Sequence, residues 1–129
     1  MPLVKFDIVE GRTDTELRKL LDAAHDAVVK SFAVPQSDRY QIVYTHKAGE
    51  MVLRETGLGF ERTRNAVVIT VISKSRSTKM KSDLYTALAE NLSKQCALSS
   101  DDLIVSVIEN EAADWSFGSG EAQFMTGDL

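Results

Sequence analysis

The pattern that most limits what this chain can fold into is repetition: the apolar positions and element order of its first half return about 63 residues later. Val4, Phe6 and Ile8 alternate with Lys5 and Asp7, the period of two of a strand covered on one face. Gly11 interrupts the alternation. Thr13-Asp14-Thr15-Glu16 then reads as a capping box, in which Thr13 and Glu16 satisfy amides that the first helical turn leaves without partners. Leu17, Leu20, Leu21, Ala24, Val28 and Phe32 form one face of a helix of about five turns. Val34-Pro35 ends it, because proline has no amide hydrogen and restricts the residue before it. Residues 40–45 read as a second strand, and the handedness of strand–helix–strand crossovers makes the two strands parallel.

The second half follows the same plan. Residues 66–72 are a β-branched run suited to a buried strand; Met80, Leu84, Ala87, Leu88 and Leu92 trace a helical stripe; residues 103–108 are a further strand. A shift of 63 places Val4 on Val67, Phe6 on Ile69, Leu17 on Met80, Leu21 on Leu84, Ala24 on Ala87 and Ile42 on Val105. Such a chain is predicted to be α/β (α+β): tandem β-α-β units whose four strands form one sheet with both helices on one face. The opposite face needs a cover, which oligomerisation supplies. One domain spans residues 1–129: a first repeat with its loop (1–63), a second repeat (64–110) and a tail (111–129). The long loop at 46–65 suits subunit contacts or the lining of a site. Trp115, Phe117, Phe124 and Met125 in so short a tail predict that it is docked.

Composition removes several classes of function. Fifteen Lys and Arg against 19 Asp and Glu give a net charge of −4, which argues against nucleic-acid binding by bulk electrostatics. No apolar run approaches the roughly 20 residues of a membrane span, and the first residues lack the layout of a signal peptide. Cys96 is the single cysteine, so an internal disulfide is excluded and a reducing, cytoplasmic setting is expected. His25, His46 and Cys96 stand at no spacing that holds a metal, and none is expected. His25 is expected on the helix surface and Cys96 as a small buried group near the end of the second helix. Gly118-Ser119-Gly120 lacks the context and the third glycine of a dinucleotide loop and reads as a turn.

Two features can carry chemistry. Pro2 directly begins a strand. Removal of Met1 leaves it a secondary amine able to act as acid, base or nucleophile near neutral pH, whereas the plain alternative is an edge-tolerant strand starter. The second is Ile72-Ser73-Lys74-Ser75-Arg76, where a buried strand ends in two cations: either a solvated turn, or a carboxylate anchor with a planar fork at Arg76 and a point charge at Lys74. A pseudo-twofold relation between the halves places Pro2 beside this turn. Lys74, Arg76, Lys79 and Lys81 have no acid among them, while seven acids and no Lys or Arg follow Lys94, so basic turn and acidic tail are expected to meet across a subunit boundary.

These residues resemble the tautomerase superfamily, and within it the malonate semialdehyde decarboxylases. The resemblance runs nearly end to end, through Pro2-Leu3, Lys5-Phe6-Asp7, Gly11-Arg12-Thr13-Asp14, Leu21-Asp22-Ala23-Ala24-His25 and Asp38-Arg39-Tyr40-Gln41. It continues in Gly49-Glu50-Met51-Val52-Leu53, Thr56-Gly57-Leu58-Gly59, Ala113-Asp114-Trp115-Ser116-Phe117-Gly118 and Thr126-Gly127-Asp128. It implies a homotrimer without metal or cofactor that acts on a small carboxylate substrate. By the same resemblance Pro2 is the cationic acid at the substrate carbonyl, Asp38 its partner, and Arg76 one of two carboxylate anchors. Trp115, Phe117, Phe124 and Leu129 then form an apolar wall. Lys74 departs from the family: Lys74-Ser75-Arg76 stands where the pattern reads Arg-Pro-Arg. The implied activity is decarboxylation of malonate semialdehyde to acetaldehyde and carbon dioxide, with hydration or tautomerisation as side activities. The alternatives are a phenylpyruvate-type 2-oxo acid tautomerase with Pro2 as base, and a non-catalytic trimeric binding protein. The dehalogenating relatives are disfavoured because Trp115 fills the position of their glutamate.

Overall fold

The computed structural model describes residues 1–129. β1 (Leu3–Val9), α1 (Asp14–Phe32) and β2 (Tyr40–His46) form the first unit; β3 (Val67–Lys74), α2 (Thr78–Cys96) and β4 (Leu103–Asn110) form the second. A short α3 (Gln123–Thr126) lies in the tail. The strands form one sheet in the order β2-β1-β3-β4, parallel within each unit and antiparallel where β1 meets β3. The tandem β-α-β reading therefore holds, with the two units related by an approximate twofold between β1 and β3.

One face of the sheet is sealed. Val4, Phe6 and Ile8 of β1 and Val67, Ile69 and Val71 of β3 pack with Leu20, Ala24, Val28 and Phe32 of α1 and Leu84, Leu88 and Leu92 of α2. The other face presents Tyr40, Ile42, Tyr44 and Ile108, each 41–52% exposed. An apolar stripe of this kind on a sheet is costly to leave in water.

The repeat is less regular than one shift of 63. Phe6 and Ile69 occupy matching core positions, an offset of 63. The two helices, each of 19 residues, match at 64: Leu20 with Leu84, Ala24 with Leu88, Val28 with Leu92. Val43 pairs with Phe6 as Val105 pairs with Ile69, an offset of 62. The pairings of Leu17 with Met80, Leu21 with Leu84, Ala24 with Ala87, and Ile42 with Val105 are thus corrected. A helical stripe at i, i+3, i+4 nearly overlays itself after a slip of one, so apolar pattern cannot locate the slip. The extra residue of the second unit lies between β3 and α2, in the turn that carries Lys74 and Arg76.

Local chemistry starts both helices as their sequences dictate. Thr13 and Glu16 exchange the two bonds of the capping box at 2.9 and 3.1 Å, and Ser77 Oγ accepts from the Met80 amide at 3.1 Å. β3 and β4 run two residues further than predicted because Ser73 pairs with Glu109 and Lys74 with Asn110. His25 is buried, contrary to expectation: its Nε2 lies 2.7 Å from the Gln36 carbonyl, holding the α1–β2 connection. The loop at 46–65 is strapped to the start of β4. The Thr63 amide and hydroxyl each donate to Asp102 at 2.6 Å, and Arg62 donates to the Asp101 carbonyl at 2.6 Å. No helix is long and apolar enough to cross a membrane.

Candidate active site

Antiparallel pairing of β1 with β3 sets Leu3 opposite Ile72, so the residues before β1 and those after β3 lie at the same end of the sheet. Pro2 is buried there, next to the turn of Lys74 and Arg76. The turn is built from beneath. Ser73 continues the core-facing parity of Val67, Ile69 and Val71 and is fully buried; its Oγ accepts from Arg76 Nε at 3.1 Å and donates to the Lys74 carbonyl at 2.9 Å. The Arg76 guanidinium lies 5.0 Å from the Phe32 ring centroid, and its amide donates to Glu109 Oε2 at 3.1 Å. Lys81 pairs with the other Glu109 oxygen. These contacts leave the Arg76 fork held at its root with its terminal nitrogens available.

Asp38 reaches the same end from the α1–β2 connection, where its amide donates to the Pro35 carbonyl at 3.0 Å. Its side chain is 8% exposed; Oδ2 lies 3.6 Å from the Met1 amine, and Oδ1 is buried without a hydrogen-bond partner. The electrostatics of the terminus report the company it keeps. Burial pushes the Met1 amine below its ordinary value, Asp38 pulls it back up, and Arg76 and Lys74 lower it further. A chain terminus, a carboxylate and two cations from three separate elements therefore share one small region.

The tail supplies an aromatic wall over it. Trp115 stacks on Phe117 with centroids 5.1 Å apart, Phe117 stacks on Tyr40 at 5.7 Å, and Phe124 meets Phe117 edge-on at 5.4 Å. Trp115 Nε1 donates to Asn110 Oδ1 at 2.7 Å. Gln123 ties the wall together: its Oε1 accepts from the Phe117 amide at 2.9 Å and its amide nitrogen donates to the Gly118 carbonyl at 2.8 Å. Lys74 Nζ sits 3.9 Å from the Phe124 centroid, a cation–π contact that joins the tail to the turn. Leu129 is anchored only through its amide, at 3.3 Å from the Gln123 carbonyl, and is half exposed.

Of the residues singled out from sequence, Pro2, Asp38, Lys74, Arg76, Trp115, Phe117 and Phe124 gather at this end; Leu129 lies at its margin. Within the one chain the tail already touches the basic turn, through Lys74 on Phe124. Sequence reading missed the supports Ser73, Phe32, Tyr40, Glu109, Asn110 and Gln123. Ser73 alone had a signal, its place in the alternation of β3.

Two family models described as "Tautomerase enzyme" match residues 38–118 and 2–61. The chain is 57% identical to the "Probable tautomerase YrdN" of Bacillus subtilis (strain 168), over all of both chains. Among solved structures it is similar to a malonate semialdehyde decarboxylase, described for its decarboxylase and hydratase activities, with a TM-score of 0.96, 53% identity and 98% of each chain covered. A second malonate semialdehyde decarboxylase, inhibited by 3-bromopropiolate, superposes with a TM-score of 0.93 at 34% identity, over 98% of this chain and 97% of the other.

Proposed function

The chain belongs to the tautomerase family, and from that premise we propose that it is a cofactor-independent carbon–carbon lyase converting malonate semialdehyde to acetaldehyde and carbon dioxide. The observation that carries this reading is the convergence of the chain terminus, the buried Asp38 carboxylate and the Lys74 and Arg76 cations at one end of the sheet. Similarity to two solved decarboxylases of this substrate supports it.

The reading requires removal of Met1. With Met1 attached, the Pro2 nitrogen is a tertiary amide that has no proton to give. Once free, it is a secondary amine whose charged form Asp38 favours against burial and the two cations. Arg76 and Lys74 take the substrate carboxylate, the fork setting its plane and the ammonium adding charge. The Pro2 ammonium donates to the aldehyde oxygen. As the bond to the carboxylate breaks, its electron pair moves into the two-carbon fragment and forms an enolate whose oxygen faces that cation. Carbon dioxide leaves, and a proton added at carbon completes acetaldehyde. The cation favours the transition state because negative charge builds on that oxygen only as the bond breaks. Trp115, Phe117 and Phe124 keep water from the carboxylate side. In this reading the chain is a homotrimer, whose formation covers the apolar stripe of Tyr40, Ile42, Tyr44 and Ile108.

One observation favours a second reading, a 2-oxo acid tautomerase. Burial, Lys74 and Arg76 all push an amine at this terminus toward its neutral form, which suits a base. Proton NMR on protein whose mass confirms loss of Met1 separates the two. Acetaldehyde forming with wild type, and not with Pro2→Ala or Arg76→Ala, establishes the lyase. Unchanged malonate semialdehyde, together with ketonisation of phenylpyruvate enol, establishes the tautomerase.

A further inference from the structure

The approximate twofold gives the fold a second end, where Arg12 immediately precedes the cap of α1 as Arg76 immediately precedes that of α2. The residues facing these arginines differ. Phe32, the last residue of α1, lies under Arg76; Cys96, the last residue of α2, holds the matching place near Arg12. The smaller side chain leaves a cavity of about 310 Å³, bounded by Arg12, Lys19, Leu20, Lys94, Cys96 and Leu98. Arg12 is half-buried and spends one donor on the Asn65 carbonyl at 2.7 Å; neither it nor Lys19 nor Lys94 has an ion-pair partner. The one acid on the rim, Glu16, accepts from the Thr13 amide and also attracts Arg12 and Lys19. Three cations, outnumbering the single carboxylate of Glu16, thus converge on a partly apolar hollow with a thiol in its wall.

We propose that this cavity is a second binding site, for a small carboxylate, with Arg12 as its planar anchor, Lys19 and Lys94 at its rim and Cys96 against the bound molecule. The site is separate from the Pro2 end and stands whether or not that end is a lyase. Its electrostatics agree: burial raises the Cys96 thiol above its ordinary value while Arg12 and Lys19 pull it back, so both cations act on the sulfur.

Alkylation of Cys96 tests this directly, because iodoacetate and iodoacetamide differ mainly in the carboxylate. The Cys96 sulfur displaces iodide from either reagent, forming a thioether and releasing its proton to buffer. At low ionic strength the iodoacetate-to-iodoacetamide rate ratio, read by mass spectrometry of the intact protein, is expected to exceed that of glutathione by about tenfold. Malonate should protect Cys96, and the ratio should fall towards that of glutathione in Arg12→Gln. Because Arg12→Gln also removes the bond to Asn65, the Lys19→Gln/Lys94→Gln double variant, which keeps that bond, should lower the ratio as well. Arg76→Gln should leave it unchanged, so failure here is distinguishable from failure at the Pro2 end. A ratio equal to that of glutathione, a ratio insensitive to all three cations, or a Cys96 that reacts with neither reagent overturns the proposal.

Discussion

The two strand-to-helix turns share one pattern and differ in detail. In the first, Glu10-Gly11-Arg12 leads from β1 to α1; in the second, Ser73-Lys74-Ser75-Arg76 leads from β3 to α2 with one residue more. Both end in arginine before a capping hydroxyl, Thr13 or Ser77. Arg76 is braced by Ser73, Phe32 and the Glu109 carboxylate at the end where the chain begins and the tail docks. Arg12 donates to a loop carbonyl beside an open cavity. The lesson is that a duplicated fold repeats its scaffold more faithfully than its surroundings: an inserted residue before α2, a connection after α2 shorter by two, and a cysteine in the place of Phe32 are among the differences between the two ends.

The comparison breaks most sharply at Arg76. Arg76→Ala should lower kcat/KM for acetaldehyde formation by about 100- to 1,000-fold, the scale of losing one directed charge-stabilising donor. Lys79→Ala, an exposed cation paired only with Asp83, should stay close to wild type in the same NMR assay. A nearly unchanged Arg76→Ala would remove the carboxylate clamp from the mechanism. Stability should follow the two helix ends in parallel. Phe32 is 1% exposed, so Phe32→Ala should cost about 3–5 kcal/mol in urea unfolding. Cys96→Ala, at the matching position on α2, should cost about 1 kcal/mol or less, because little is buried there and a cavity already exists. Equal losses would show that the ends are packed alike after all.

Smaller effects sharpen the picture of the second turn. Lys74→Arg restores a second fork beside Arg76 and should raise kcat/KM a few-fold, about threefold by the usual advantage of bidentate pairing; a loss would mean that Lys74 is tuned to Phe124. The pH response comes last. Glu109 is held below the ordinary carboxylate range by Lys81, by Ser75 and by the Arg76 amide. A group depressed in the folded state contributes fully above its unfolded value and loses that contribution as pH falls through the folded one. The difference in urea midpoint between wild type and Glu109→Gln should therefore be constant near neutrality and shrink only below about pH 4. A difference that is already shrinking at pH 6 would rule out Glu109 as the titrating brace.

Much of this was written in local pattern. Alternation at Val4, Phe6 and Ile8 marks β1, the Thr13–Glu16 box marks the start of α1, and the β-branched run marks β3, because strand parity and helix capping act over a few residues. The resemblance carried by Pro2, Asp38, Arg76 and the tail aromatics groups most of the candidate site from sequence alone. The supports stayed hidden. Nothing local to Glu109, Asn110 or Gln123 tells that they hold Arg76, Trp115 and Phe117, since each bond joins elements whose approach depends on the whole sheet. His25 was expected on the helix surface, yet it follows Leu21 by four and precedes Val28 by three, and the α1–β2 connection folds back over it.

The sequence by itself determined the repeated β-α-β plan, the sealed apolar face and the residue types available for chemistry, all consequences of short-range periodicity and composition. Only the tertiary structure decided how Ser73, Phe32, Glu109 and Asn110 brace the end that holds the terminus, and that the other end is left with Arg12, Cys96 and a cavity. The reason is geometric. An approximate twofold makes two equivalent ends, and the difference between them rests on a one-residue slip and on long-range packing that a helical stripe cannot register.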